Sequence, residues 1–214
     1  MAYIKRDIED KIISLSKEYS CILITGPRQV GKTTVLRQLM DSNREYVTLD
    51  DLDERSLAKR DPAMFLQIHS TPIMIDEVQY APELFSYIKM EIDKGAEPGT
   101  YWLAGSQAFK LMELAQESLA GRVAILHMSQ HEIYGSDDCT PFTLEFGALK
   151  AREKTNAPAD IAEIYDRIWK GSMPGLASGK FFDRDVFYSS YLQTYIGRDV
   201  KEQVQLADPL LFRD

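Results

Sequence analysis

The stretch that decides the fold is Gly26-Pro27-Arg28-Gln29-Val30-Gly31-Lys32-Thr33-Thr34, entered from Cys21-Ile22-Leu23-Ile24-Thr25 and left through Val35-Leu36-Arg37-Gln38-Leu39-Met40. An apolar, β-branched run that feeds a glycine-bounded loop and then a helical pattern predicts a strand, a phosphate-cradling loop and a helix. The segment matches G-x-x-x-x-G-K-[ST] at every fixed position. Its glycines let the backbone wrap tightly, so that successive N–H groups converge on phosphate oxygens at the positive end of the following helix. Gly26, Pro27, Arg28, Gln29, Val30, Gly31, Lys32, Thr33 and Thr34 then form the cradle. Lys32 reaches the β- and γ-phosphates, and the Thr33 hydroxyl ligates Mg²⁺. A chance glycine-rich turn capping an ordinary helix is the competing reading, and the flanks as well as the letters count against it.

Working outward, Pro72-Ile73-Met74-Ile75-Asp76-Glu77 is an apolar run ending in two carboxylates, a Walker B pattern. A continuous apolar run suits a central parallel strand covered on both faces, and Asp76 at its end is the expected second Mg²⁺ residue beside Thr33. Glu77 is placed to orient and polarise a water in line with the γ-phosphate, the task of the base in a hydrolytic NTPase. An acidic pair also begins helices often; the preceding cradle favours the functional reading.

The next apolar run, Thr100-Tyr101-Trp102-Leu103-Ala104-Gly105, ends on Ser106-Gln107. A polar residue leaving a strand next to the Walker B strand can touch the γ-phosphate or the attacking water. Ser106 is the candidate for that sensor position and Gln107 the reserve, against the rival reading that Ser106 caps the following helix. A further helix, to about Leu119, stops at Ala120-Gly121, and Arg122 stands before the fifth apolar run, Val123 to Met128. An arginine fixed there could present its guanidinium to phosphate, in its own subunit or a neighbour's, or form a plain salt bridge.

The remaining elements follow from periodicity. Arg6 to Glu18 read as a leading helix, and Tyr46-Val47-Thr48-Leu49 as a strand whose closing Asp50-Asp51 pair is read as helix caps. One or two short helices span Asp53 to Ser70, broken at Asp61-Pro62, and another runs from Ala81 to Lys94. Residues from Asp137 to Asn156 turn polar and loop-rich at both ends, which sets a boundary between a core at 1–136 and a linker with helices at 137–214. Helices are expected over Ala157 to Lys170 and Asp183 to Gln203. In the last, Phe187, Tyr188, Tyr191, Leu192, Tyr195 and Ile196 form a stripe read as packing, not base stacking, because no cation is interleaved.

Composition narrows the classes. In 214 residues, 33 acidic side chains face 25 Lys and Arg, a net charge of −8, which argues against a broad nucleic-acid interface. The 2 cysteines, Cys21 and Cys139, lie far from any zinc or redox spacing. His127 and His131 straddle a strand end and are not read as a metal pair; His69 stands alone in the sequence. The start has no apolar signal core and no run approaches a membrane span, so a soluble cytoplasmic protein is expected, with no membrane partner. The apolar Leu210-Leu211-Phe212 close to the end is read as the mark of a truncated chain.

With these segments in view, the chain resembles the prokaryotic AAA+-type ATPases of an archaeal and bacterial group often joined to a further C-terminal domain, near the STAND-like NTPases. The segments GPRQVGKTT, IMIDEVQ, WLAGSQ, SLAGRVAIL and GSMPGL carry the resemblance in that order. It implies an α/β P-loop NTPase sandwich, a parallel sheet of order 5-1-4-3-2 and a small helical lid. It also implies that Pro174 packs near adenine, although Ser172 and Met173 separate it from Gly171, and that Arg122 acts as an arginine finger. Thr194 to Val200 resembles the start of the companion domain. The expected activity is Mg²⁺-dependent binding and hydrolysis of ATP, with ATP and ADP as ligands and either a homo-oligomer or the C-terminal domain as partner. A nucleotide-binding switch with slow turnover is the alternative.

Overall fold

Cys21–Thr25 forms the strand β1, flanked in space by chain that arrives much later in the sequence. The computed structural model describes residues 3–129, 144–155 and 160–195. The strands β2 (Glu45–Thr48), β3 (Ile73–Asp76), β4 (Tyr101–Gly105) and β5 (Val123–His127) complete one sheet of order β2-β3-β4-β1-β5, every neighbouring pair parallel. This is the order expected for a P-loop NTPase. Parallel pairing places the carboxyl ends of β1, β3 and β4 on one edge, so the loops leaving them share a crevice.

β1, β3 and β4 are buried along their whole length. Their side chains alternate between two apolar clusters, as a strand's twofold period requires. Cys21, Leu23, Ile73, Ile75, Tyr101 and Leu103 enter one cluster with Phe65, Leu84 and Phe85. Ile22, Ile24, Met74, Trp102 and Ala104 enter the other with Ile12, Val35 and Leu36. A continuous apolar strand is therefore the signature of a sheet covered on both faces. Burial also pushes the Cys21 thiol far above its ordinary range, leaving it an inert core residue.

The helices follow the local signals. α1 (Ile8–Ser16) and α2 (Lys32–Leu39) line the second cluster. α3 (Leu52–Arg60) begins where the Asp51 carboxylate accepts the backbone N–H groups of Asp53 and Glu54, so Asp51 is the cap the sequence suggested. α4 (Pro62–Ile68) follows at once, with Asp61 capping Met64 N–H and Pro62 in the first turn, where its missing donor costs nothing. α5 (Glu83–Asp93) and α6 (Ala108–Ser118) complete this unit.

The chain divides into two compact units, Ile8–Ser129 and a second comprising Met1–Asp7 with Gln130–Asp214. The described part of the second holds α7 (Phe146–Thr155), α8 (Ile161–Lys170), α9 (Pro174–Ala177) and α10 (Arg184–Tyr195). α7 lies where the sequence suggested a linker: it carries good helix formers but no apolar stripe to reveal it. In α10, Phe187 packs with Met173 and Leu176, and Tyr191 stacks on Tyr195 at 6.1 Å, so these aromatics are packing residues. Gly171, at φ +73, holds a left-handed conformation that favours glycine, and a Cβ there would displace the Tyr188 hydroxyl 2.1 Å away. Cys139, His131, Ile196 to Val200 and the apolar residues 210–212 lie outside the described residues. Among the described residues no helix is long and apolar enough to cross a membrane.

Candidate functional site

The loop between β1 and α2 adopts conformations that few side chains tolerate. Gly26 has φ +148 and Gly31 φ +97, and Gln29 between them also has positive φ, at 61°. A Cβ on Gly26 would lie 2.2 Å from the Met128 carbonyl oxygen, so glycine is obligatory there. Val30 is fully buried in the second cluster, so it anchors the loop and only its backbone can serve a ligand. Pro27 and Arg28 are half-buried, whereas Gln29 and Thr34 are exposed. Lys32, 6% exposed, donates from Nζ to the carbonyls of Gly26 at 2.9 Å and Pro27 at 2.8 Å. Its ammonium therefore sits across the mouth of the loop.

Thr33 in the first turn of α2 meets Asp76 at the end of β3, with Thr33 Oγ1 donating to Asp76 Oδ2 at 2.7 Å. Tyr46 on β2 donates to the same oxygen at 3.3 Å, while the Glu77 backbone N–H donates to Oδ1 at 3.0 Å. Asp76 is thus held by two hydroxyls and an amide. Burial, and then the Asp76 charge, raise the Tyr46 phenol above its ordinary range, so it stays a donor at neutral pH. The Arg37 guanidinium lies 4.6 Å over the Tyr46 ring.

Glu77 leaves β3 in a left-handed conformation, φ 55 and ψ 40. Its Oε2 accepts from Gln79 Nε2 and from the Ser106 hydroxyl at 3.3 Å. Ser106 therefore faces the Walker B carboxylate. It does not cap α6, whose preceding residue is Gln107.

One residue singled out in the sequence lies elsewhere in the same unit. Arg122 precedes β5, whose first residue pairs with Cys21, so it stands at the amino end of the sheet, opposite the phosphate loop. Its Nε donates to Asp93 at 2.5 Å, and that hydrogen bond lowers the Asp93 carboxyl below its ordinary range. In this structure Arg122 is in a salt bridge with Asp93, at the end of the sheet away from the loop. Parallel strands run one way, so a residue at a strand's start cannot reach a site at its end. Pro174 opens α9 in the second unit.

Tyr46 lies outside every motif, and Gln79 closes the IMIDEVQ segment with no role legible in the sequence; both acquire one through contacts that the fold makes, Tyr46 to Asp76 and Gln79 to Glu77 and Ser106. His127 reaches Thr25 Oγ1 at 3.3 Å, and His69, alone in the sequence, is clasped between Glu45 at 2.7 Å and Glu54 at 3.0 Å. A hollow of about 800 Å³ opens near Arg44, His69, Tyr87 and Tyr101, at the amino end of the sheet. It is remote from the loop chemistry.

The donor set suits a magnesium nucleotide. A hydroxyl and a carboxylate 2.7 Å apart are hard oxygen ligands, and the glycine that admits no Cβ leaves backbone free for close approach. Residues 18–134 match the family model described as AAA domain. The chain belongs to the AAA domain family. This AAA domain is an AAA-type P-loop ATPase by family and fold. It is 29% identical over 203 residues to uncharacterized proteins of Mycobacterium bovis and Mycobacterium tuberculosis, covering 92% of this chain. It spans 40% of the length of those curated relatives. Among solved structures it is similar to the Walker-type ATPase PABY2304 of Pyrococcus abyssi, with TM-score 0.52 and 16% identity over 99% of this chain and 77% of that one. AMPPCP-bound DnaA from Aquifex aeolicus aligns with TM-score 0.47 and 14% identity over 92% of this chain and 63% of that one.

Proposed function

We propose that this AAA domain binds ATP with Mg²⁺ and hydrolyses it. The observation that carries the reading is the Thr33–Asp76 pair at 2.7 Å with Glu77 next along the chain, all beside the phosphate loop. Lys32 and the loop backbone would hold the phosphates, and Thr33 and Asp76 would hold the metal, which would supply charge neutralisation at the phosphates. Glu77 takes a proton from the attacking water, and Ser106 senses the γ-phosphate beside it. There is no covalent intermediate: positioning and charge neutralisation lower the barrier. The helices α7 to α10 are read as a lid whose movement follows the nucleotide state, with Pro174 in the adenine role that the resemblance implies.

A second reading, a slow nucleotide switch, is favoured by Arg122. Its pairing with Asp93 keeps it at the far end of the sheet within one subunit, so a single chain acting alone would lack an arginine contribution worth about 10³–10⁵ in turnover. Phosphate release with Mg-ATP and Mg-GTP, for wild type, Glu77→Gln and Lys32→Ala, separates the two. Hydrolysis predicts release by wild type, binding without release by Glu77→Gln, and loss of binding by Lys32→Ala. Tight binding with no phosphate released at any protein concentration supports the switch.

A further inference from the structure

Gln79 is the middle residue of the 3-10 turn Val78–Tyr80 that follows Glu77, and it is fully buried. Its Nε2 donates to Glu77 Oε2 and to Ser106 Oγ at 3.4 Å, so one amide nitrogen bridges the ends of β3 and β4. The orientation is forced, because a carboxylate only accepts and the opposite placement would set two oxygens against each other. The amide oxygen, Oε1, is buried and has no hydrogen-bond partner. It lies over Gly105, where a Cβ would come within 2.2 Å of it.

This arrangement costs stability. A buried acceptor without a donor is penalised, and a methionine or leucine of similar size would fill the space without the penalty. Two further features are shaped around the amide: Glu77 holds a left-handed backbone that few non-glycine residues adopt, and β4 ends in the one residue type that clears Oε1. The turn is tied down from its other end, where the Arg55 guanidinium covers the Tyr80 ring at 3.9 Å and donates to the Leu49 carbonyl at 2.6 Å. The amide thus sits on a fixed support.

We propose that Gln79 is the positioning residue of the site: it fixes the Glu77 carboxylate against Ser106, so that one orientation of the base and the sensor hydroxyl is set before nucleotide arrives. The proposal rests on the hydrolytic reading. It assigns Gln79 an effect on the chemical step without contact to nucleotide.

Gln79→Met keeps the volume and removes both donors, and Gln79→Glu keeps the shape and puts an acceptor in their place. For wild type and both variants, kcat and KM for Mg-ATP, the Kd of a fluorescent ATP analogue and the melting temperature are measured. The expected result is a fall in kcat of about ten- to a hundredfold in each variant, the loss of one hydrogen bond to a charged group. KM and Kd stay within about twofold of wild type, and melting temperature does not fall in Gln79→Met, whereas Gln79→Glu, which buries a second carboxyl against Glu77, melts lower. Combined with Ser106→Ala, the losses are less than additive, since both residues hold one carboxylate. Unchanged kcat in either variant beside an active wild type overturns the role of Gln79 alone, as does a fall in kcat of Gln79→Met matched by lost affinity or lost stability. An inactive wild type that still binds the analogue overturns the hydrolytic reading and this proposal with it.

Discussion

Replacing Gly26 by alanine tests whether the phosphate loop is built as described. The new Cβ would stand 2.2 Å from the Met128 carbonyl oxygen, about 1 Å inside the 3.4 Å at which ordinary contact begins. Met128 cannot retreat easily, because it is fully buried and its N–H donates to the Thr25 carbonyl at 2.8 Å. Forcing extra volume into a packed site costs about 1–3 kcal/mol, and a non-glycine residue at φ +148 about 1–3 kcal/mol more. Together these give roughly 2–6 kcal/mol, a fall in melting temperature of about 4–24 °C for a chain of this size. Gly121 is the control: it has φ +75 with nothing within 4 Å of a built Cβ, so alanine there carries the torsional cost alone. Thermal unfolding of both variants, with and without Mg-ATP, is the assay. Gly26→Ala must melt well below Gly121→Ala and gain less from nucleotide than wild type. Equal melting temperatures, or a Gly26→Ala protein within about 1 °C of wild type, would refute the reasoning.

Tyr46→Phe removes one of the two hydroxyls on Asp76 Oδ2, so the Mg²⁺ concentration giving half-maximal analogue binding rises by about two- to tenfold; superimposable Mg²⁺ titrations count against it. Arg122→Ala leaves kcat within about twofold, since the side chain serves Asp93 at the far end of the sheet; a tenfold fall with unchanged affinity points to action in a neighbouring subunit. Acid titration of stability addresses Glu45, whose burial raises its carboxyl, though hydrogen bonds from His69 and Ser70 outweigh this and hold it below the ordinary 4.5. A lowered carboxyl stabilises fully above its unfolded value and loses that contribution as pH falls through its folded value. The stability advantage of wild type over Glu45→Gln in urea unfolding therefore shrinks below about pH 4.5, and a pH-independent difference excludes the His69 clasp as its source.

Local patterns carried far in this chain because each is a short-range consequence of physics. Apolar runs at Cys21–Thr25, Ile73–Asp76 and Tyr101–Gly105 can only be covered on both faces, and Asp51 and Asp61 cap helices within three residues of themselves. α7 was missed because a helix without an apolar stripe leaves no period to read. His69 was illegible for another reason, since its partners Glu45 and Glu54 lie 24 and 15 residues away.

The sequence by itself determined the phosphate loop, the acidic pair and the parallel sheet, because glycine's backbone freedom, an apolar strand and a carboxylate at its end are properties of contiguous residues. Tertiary structure alone decided which groups meet at that edge. Tyr46 joins Asp76 across 30 residues and Ser106 joins Glu77 across 29, while Arg122 is sent to Asp93. The strand order β2-β3-β4-β1-β5 makes those choices: it sets which strand ends are neighbours, and parallel direction sets which end of the sheet a residue occupies.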